Sequence, residues 1–281
     1  LNKLKEGPIE KSYFFKSYPC EKYFDQFYKV KVQDIPSLES MGFHKSTIQI
    51  PSKEVKRGII KKYSEQRNFP SIDGTSKLGI HFRFGTISIR EKARSSSTLN
   101  EMYLSELIWR DFYSQILSAF PHVERNAFRS KYEAIEWENN EEDFEKWCNG
   151  ITGYPMVDAG MRELNATGHM HNRVRMIVAS FLTKHLLIDW RWGEAYFARK
   201  LLDFDLASNN GGWQWASGSG TDAAPYFRIF NPTSQMTKFD KDKKYIMKWI
   251  PEFGTEAYPQ PIVEHKFARE RCLARYKQAL N

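Results

Sequence analysis

From about residue 80 onward, apolar residues recur at helical spacing, and alternating β-branched runs are scarce. Apolar positions at i, i+3, i+4 and i+7 form one stripe on a helix, whereas a half-buried strand needs strict alternation. The pattern predicts a mainly α fold, in a chain whose 281 residues can bury a sizeable core. Four prolines interrupt residues 1–60, which predicts an irregular lead-in before a helical domain at 61–281.

Individual helices can be delimited from their end signals. Thr98 with Glu101 forms a capping-box pattern, which predicts a helix that runs to about residue 119 and stops before Pro121. A second helix is predicted at 155–167, with a proline in its first turn and Gly168 after its last. Two more are predicted at 171–189 and 194–204.

Composition restricts the class of protein further. Aromatic residues make up 15% of the chain, so it is not a disordered tail. No apolar run is long enough to span a membrane, and three distant cysteines favour a reduced, cytoplasmic protein over a disulfide scaffold. Because the chain begins with leucine, we expect a piece of a longer protein.

Charge gives a weaker indication of the partner. The net charge is +8, yet residues 71–150 hold 13 acidic against 10 basic side chains. A basic protein with a local acidic patch suggests a polyanion-facing surface, with nucleic acid before anionic membrane, although ordinary solubility charge explains it equally well.

Three segments place unusual side chains together. Glu106, Trp109, Arg110 and Tyr113 share the side of the first helix opposite its apolar stripe, and a charged face with a large indole suggests a stacking surface rather than only a solvated ion pair. In the helix predicted at 171–189, Asn172 and Met176 share a face between Arg173 and Arg175, which is suited to a base edge or phosphate but also to a plain helix end.

The junction "DFDLASNNGG" places Asp203, Asp205 and Asn209 where they could cap a helix or bind a polar heterocycle. The segment "GTSKLG" at 74–79 offers donors for a phosphate without the spacing of a P-loop. His169 and His171 do not have zinc-ligand spacing, so no metal site is predicted.

Several long phrases resemble the FAD-binding domain of the DNA photolyase and cryptochrome family. They include "TSKLG", "SELIWRDFY", "TGYPMVDAGMRELNATGHMHNRVRMIVASFL", "DFDLASNNGGWQWASGSGTDAAPYFRIFNP" and "YPQPIVEHK". The resemblance runs from about residue 60 to the end and is closest to class I cyclobutane pyrimidine dimer photolyases. It implies a helical domain that holds a U-shaped FAD. The N-terminal α/β antenna domain usual in the family is absent from this chain, and residues 1–60 resemble the interdomain connection.

Carried over by position, the resemblance implies a cofactor site and a lesion site. The cofactor residues are Tyr63, Thr75, Ser76, Lys77, Leu78, Gly79, Tyr103, Glu106, Arg110, Arg175, Asp203, Asp205 and Asn209. Lys77 replaces an arginine common in the family, and Asn209 matches the residue that faces flavin N5. The lesion residues are Glu106, Trp109, Asn172, Arg173, Met176 and Trp215, with the two tryptophans as walls.

The same resemblance implies an electron-transfer chain of Trp137, Trp190 and Trp213. Acidic neighbours of Trp137, such as Glu136 and Glu138, either stabilise its transient cation radical or form an incidental acidic turn. On one helix Trp213 and Trp215 would point about 200° apart, which predicts that Trp213 faces inward beside the flavin and Trp215 outward toward DNA.

The function implied is light-dependent repair of cyclobutane pyrimidine dimers by electron transfer from excited reduced FAD, that is, a deoxyribodipyrimidine photo-lyase activity. The catalytic residues implied are Glu106, Asn209 and the three chain tryptophans. Rival interpretations are a cryptochrome-type blue-light photosensor and a flavin-free helical module that binds nucleic acid. The expected partner is dimer-containing DNA, the expected state a monomer, and the antenna pigment, folate or deazaflavin, depends on the missing domain.

Overall fold

The structure is a computed structural model that describes residues 20–31 and 33–281. Within these ranges the chain is helical and contains no β-strand, which confirms the mainly α fold. In chain order the α-helices are α1 (Arg57–Lys61), α2 (Tyr63–Gln66), α3 (Gly79–Arg83), α4 (Ile89–Ser97), α5 (Glu101–Ala119), α6 (Glu141–Asn149), α7 (Pro155–Thr167), α8 (Asn172–Ser180), α9 (Trp190–Lys200), α10 (Leu206–Ser217), α11 (Pro232–Phe239), α12 (Lys244–Trp249) and α13 (His265–Leu280).

Shorter helical pieces join these elements. They are 3₁₀ helices at Cys20–Gln26, Pro121–Glu124 and Ser130–Ala134, and a π-helix at Phe181–His185. None of the helices in the described part of the chain is long and apolar enough to cross a membrane. The described residues between 21 and 50 are exposed throughout, and residues 1–19 of the lead-in predicted at 1–60 lie outside the described residues.

The main core lies where α7, α8, α9 and α10 pack against one another, with α6 and α12 closing it. Helix α7 is deeply embedded, since Met156, Val157 and Met161 are fully buried. A smaller cluster joins α1 to α5 through Ile60, Tyr103 and Leu107. The C-terminal helix α13 packs on the π-helix and adds Cys272 and Tyr276 to a third cluster.

Three of the predicted helix ends agree with the structure. Pro155 opens α7, and Gly168 follows its last residue with a φ of 67°, a left-handed conformation that glycine adopts without steric cost. Helix α5 stops at Ala119, directly before Phe120 and Pro121.

Other predicted boundaries are wrong. The first turn of α5 is capped by Asn100, whose side-chain oxygen accepts from the backbone N–H of Tyr103, so the Thr98–Glu101 capping box does not form. The helix predicted at 171–189 is α8 followed by the π-helix, and the chain turns at Leu187, where φ is 50°. The helix predicted at 194–204 begins earlier, at Trp190 after the cap Asp189, and ends at Lys200.

Candidate functional site

A cavity of about 370 Å³ opens between α5, α8 and α10. Its wall also takes in Arg67 after α2, Asp222 after α10, and the junction between α9 and α10. The lining residues are Arg67, Glu106, Trp109, Tyr113, Asn172, Arg175, Met176, Ala179, Phe197, Leu201, Asp203, Phe204, Asp205, Ser208, Asn209, Gly212, Trp213, Trp215 and Asp222. Ten of the side chains predicted from the sequence thus meet in one cavity.

Asp203, at the α9–α10 junction, forms an ion pair with Arg175 of α8 in the cavity wall. Both Asp203 carboxylate oxygens accept from Arg175 Nη2, at 3.1 and 3.0 Å, while Arg175 Nε donates to the carbonyl of Met170 at 2.7 Å. Burial alone would raise the pKa of Asp203, but the charge and hydrogen bonds of Arg175 outweigh it, so that this pKa lies below its usual range. The pair is therefore an ionised, fixed feature of the wall.

Asp205 combines the two roles that the sequence left open. Its carboxylate caps α10 by accepting from Ser208 N at 3.0 Å and from the Ser208 hydroxyl at 2.8 Å. It also lines the cavity and lies 3.8 Å from Arg110. Arg110 itself does not line the cavity, and its guanidinium reaches the cavity wall through this contact with the Asp205 carboxylate.

Asn209 is oriented by a carboxylate behind it. Its amide nitrogen donates to the carbonyl of Glu194 at 3.1 Å and to Glu194 Oε1 at 2.8 Å. Burial raises the pKa of Glu194, which the hydrogen bond from Asn209 partly offsets. Because the amide hydrogens point at Glu194, the Asn209 carbonyl oxygen is the polar atom left to face a ligand.

Helix α5 presents its predicted face to the cavity. Glu106, Trp109 and Tyr113 line it, and the Trp109 ring packs on Tyr113 with centroids 5.8 Å apart. Glu106 forms an ion pair with Arg67, and the Tyr113 hydroxyl donates to Asp222 at 3.2 Å. Burial and the neighbouring Asp222 carboxylate raise the pKa of Tyr113 well above its usual range.

The two tryptophans of α10 have different environments, although both line the cavity. Trp213 is 2% exposed and packs edge-on against Phe197 with ring centroids 5.1 Å apart. A Cβ added at Gly193 would overlap the Trp213 ring, so a glycine is required there. Trp215 is half-buried and contacts Phe230. The two rings thus have different surroundings, Trp213 buried in the core and Trp215 half-exposed, and their separate roles stay a prediction.

On α8, Asn172 and Met176 line the cavity and Arg173 does not. Arg173 donates to Asn68 Oδ1 at 2.7 Å, and its guanidinium lies 4.4 Å from the centre of the Phe239 ring. Burial and the nearby charges of Arg67 and Arg228 lower the pKa of Arg173. Arg67, which lines the cavity, and Arg228 thus lie near Arg173, and the three are called the arginine cluster below.

The segment predicted to hold phosphate lies at the edge of this site. Thr75, Ser76, Lys77 and Leu78 do not line the cavity, and Gly79 packs so closely that an added Cβ would lie 2.7 Å from Asp203 Oδ2. Lys77 adopts a φ of 52° and pairs with Asp73 at 2.8 Å on the surface.

Tyr63 and Tyr103 also lie outside the cavity lining, next to this segment. The Tyr103 hydroxyl is 3.2 Å from the Ser76 hydroxyl, and the two tyrosine rings meet edge-on at 5.1 Å. The segment is thus fixed to α5 and to Asp203, at the cavity's rim rather than inside it.

Trp137 and Trp190 lie away from the cavity lining. Trp190 is 2% exposed with the Arg191 guanidinium 4.8 Å from its ring, and Trp137 is half-buried against Tyr276. The acidic turn around Trp137 is partly neutralised, because Arg275 donates to the Glu136 carbonyl and to Glu138 Oε1 at 2.7 Å.

The histidines do not form a metal site, and no cluster of three or more metal-ligating side chains occurs in the described part of the chain. His171 is buried and caps α8 through its Nδ1, and burial lowers its pKa to about 4. His169 lies 3.7 Å from Glu163.

Sequence reasoning missed Arg67, Asp222, Phe204 and Ser208 as cavity residues. Arg67 lies 39 positions from its partner Glu106, and Asp222 lies 109 positions from Tyr113. Phe204 and Ser208 flank predicted residues and could have been included on that ground. No local pattern marks the other two.

Comparison with known proteins identifies the family. The model of the FAD binding domain of DNA photolyase matches residues 103–256, more than half of the chain. The chain belongs to this family. It is 46% identical over 247 residues to the deoxyribodipyrimidine photo-lyase of Escherichia coli (strain K12). The aligned region covers 78% of this chain and 52% of that protein.

Solved structures of the photolyase and cryptochrome family share the fold. A bacterial class III photolyase from Agrobacterium tumefaciens has a TM-score of 0.75 and 42% identity, covering 79% of this chain and 53% of its own. The Synechocystis sp. PCC6803 cryptochrome has a TM-score of 0.75 and 28% identity, covering 88% and 61%. The chain spans about half the length of the curated relatives it matches.

Proposed function

We propose that the cavity holds FAD and that the protein repairs cyclobutane pyrimidine dimers in DNA with light. The observation that carries the proposal is the convergence of Glu106, Trp109, Asn172, Met176, Asn209 and Trp215 on one cavity in a chain of the photolyase family. The relatives that carry this activity in their names are longer, and this chain spans about half of their length.

The chemistry of the wall fits a flavin. The acids Glu106, Asp203, Asp205 and Asp222 outnumber the cations Arg67 and Arg175, so the cavity suits uncharged rings that offer N–H donors better than it suits phosphates. The negative pyrophosphate would lie at the rim, where Thr75, Ser76 and Lys77 offer hydroxyls and a cation. At Gly212 an added Cβ meets no atom within 4 Å, so the backbone leaves room for a flat ligand.

Individual residues would act by position. When bound, FAD supplies a light-driven one-electron donor to the lesion. Asn209 would accept a hydrogen bond from the flavin through its carbonyl oxygen, held in place by Glu194. Arg175 and Asp203 would fix the flavin-side wall and exclude water, and Trp213, Trp190 and Trp137 would conduct an electron inward from the surface.

A flipped-out dimer would occupy the mouth of the cavity. Trp109 and Trp215 supply flat apolar surfaces, each able to contribute about 1–3 kcal/mol of stacking per base. Glu106 and Asn172 would hydrogen-bond the pyrimidine edges, and Met176 would pack on the rings. A damaged base pair is easier to unstack than a sound one, which favours the lesion.

The arginine cluster beside the cavity suits the DNA backbone. Arg67 and Arg228 are close enough to Arg173 for their charges to act on it, and a DNA phosphate bound beside Arg173 would offset that repulsion. We propose a monomer in the cytoplasm as the working form, with an antenna pigment, folate or deazaflavin, contributed outside this chain.

A blue-light photosensor is the second candidate, and the likeness to the Synechocystis cryptochrome favours it. A flavin-free nucleic-acid-binding module is the third, and it does not explain the fixed polar wall around Asn209 and Asp203. The experiment that separates the first two illuminates the FAD-loaded protein with a dimer-containing oligothymidylate. Repair predicts recovery of the base absorbance in blue light only, whereas lesion binding without recovery would favour a sensor.

A further inference from the structure

A second cavity of about 320 Å³ lies between α1, α4 and α5. It is lined by Val55, Arg57, Ile60, Leu78, Lys92, Ser95, Ser96, Thr98, Leu99 and Tyr103. It shares no lining residue with the first cavity. None of the residues proposed to touch DNA or to conduct electrons takes part in it.

The floor of this cavity is apolar and rigid. Leu78 is 1% exposed and Tyr103 3% exposed, and Ile60 joins Tyr103 in the small core cluster between α1 and α5. The Tyr103 hydroxyl is engaged with Ser76, so its ring offers the cavity an apolar surface. Such a floor suits a planar ring system.

The rim has the opposite character. It presents the guanidinium of Arg57 and the ammonium of Lys92, together with hydroxyls of Ser95 and Thr98. The described residues contribute no carboxylate to this lining. Among the described residues neither Arg57 nor Lys92 has a carboxylate within 4.0 Å, although several other arginine and lysine side chains do. Two unpaired cations over an apolar floor favour a ligand with a dianionic group.

We propose that this cavity is a second ligand site, for a mononucleotide-class molecule: one aromatic ring system that carries one phosphate. The ring would lie on Leu78, Ile60 and Tyr103, and the phosphate would bind between Arg57 and Lys92. The volume of about 320 Å³ lies at the low end of the roughly 300–1,000 Å³ found for small-molecule sites. The proposal requires neither FAD in the first cavity nor DNA repair.

Binding of such a ligand would affect the first cavity. Leu78 belongs to the segment proposed to hold the pyrophosphate, and Tyr103 contacts Ser76 of the same segment. Occupancy of the second cavity would therefore stiffen the rim of the first. The expected sign is tighter retention of FAD when the second ligand is present.

The test is calorimetric titration of the FAD-loaded protein with AMP, adenosine and inorganic phosphate. One AMP site is expected, with adenosine and phosphate each at least tenfold weaker, because each lacks half of the recognised group. Arg57→Gln with Lys92→Gln should weaken AMP at least tenfold. The matched control, Lys61→Gln with Arg90→Gln, removes the same charge from exposed positions of the same two helices outside the cavity, and should leave AMP affinity unchanged.

Ser95→Trp gives an independent test, because it fills the exposed rim without changing charge. Loss of AMP binding with an unchanged circular dichroism spectrum supports the site. Equal weakening by both charge-removing pairs would overturn the proposal in favour of general anion attraction. If inorganic phosphate bound as tightly as AMP, the proposed ring-binding floor would be wrong. Competition between AMP and FAD would show that the protein has one site instead of two.

Discussion

The two cavities differ in how their charged groups are arranged. In the first, nearly every charged or amide side chain is already held by another: Arg175 by Asp203, Arg67 by Glu106, Asn209 by Glu194 and Asp222 by Tyr113. In the second, Arg57 and Lys92 have no such partner among the described residues. The polar groups of the first cavity are preorganised, whereas the second cavity has two positively charged side chains available to bind an anion.

The net charge of the chain does not predict the charge of either cavity. A chain of net charge +8 builds an acidic main cavity and places its cations at the rim, in the arginine cluster and in the second cavity. Local pairing, not overall composition, decides which ligand each cavity suits. The preorganised cavity should therefore respond sharply to the loss of one partner, and the second cavity mildly.

The largest effect is expected from Asp203→Asn. The change leaves the partly buried Arg175 without its counter-charge, which should lower the free energy of unfolding by about 3 kcal/mol. Denaturant unfolding measures this. The matched control is Asp73→Asn, which breaks the exposed pair with Lys77 and should cost under about 0.5 kcal/mol. Equal losses for both variants would refute the preorganised wall.

The same pair predicts a dependence on pH. Because the folded state lowers the pKa of Asp203, its contribution is fully present above the unfolded pKa of about 3.9 and is lost as pH falls through the lower folded value. The stability gap between the native protein and Asp203→Asn should therefore shrink below about pH 4. Unfolding curves at neutral and acidic pH measure the gap, and a gap constant down to pH 2 to 3 would contradict the assignment.

Trp215 and Trp213 should separate binding from electron transfer. Trp215→Ala should weaken binding of lesion-containing single-stranded DNA by about 2 kcal/mol, since a stacking surface is lost. Trp213→Phe keeps the core filled, and should leave that affinity within twofold while slowing light-driven flavin reduction. Fluorescence anisotropy and transient absorption measure the two effects. Equal affinity losses would show that the rings do not have separate roles.

Gly212→Leu probes the space in the first cavity with a smaller effect. Its side chain would enter open space, so folding should survive while FAD affinity falls about tenfold, or about 1.4 kcal/mol. Gly58→Leu is the control, because Gly58 is also a helical glycine with no neighbour within 4 Å of an added Cβ and lies outside the first cavity. Unchanged FAD affinity in Gly212→Leu would show that FAD does not occupy the space beside Gly212.

Much of the first cavity could be predicted from the sequence because its residues cluster in α5, α8 and α10. Helical spacing alone brings Glu106 and Trp109 to one face, and Pro155 and Gly168 delimit α7. The π-helix could not be predicted from the run between Phe181 and Ile188, in which three polar residues interrupt an apolar segment. The spacing of apolar residues does not reveal whether a backbone N–H bonds to the carbonyl four or five residues earlier.

The remaining features depend on contacts between distant segments. Asn100 rather than Thr98 caps α5, and it is also tied to α1 through Lys61, an interaction that a capping pattern does not include. Arg67 and Asp222 meet their partners only after α2, α5 and α10 have packed. The second cavity likewise arises from α1, α4 and α5 together, and none of its residues stands out locally.

The most direct measurement is the absorption spectrum of the purified chain after incubation with FAD, before and after illumination with a reductant. Our account predicts bound flavin bands that bleach in light, and that are weak or absent in Gly212→Leu but present in Gly58→Leu. A colourless protein after incubation, or flavin bands of equal strength in both glycine variants, would contradict the assignment of the first cavity as the flavin site.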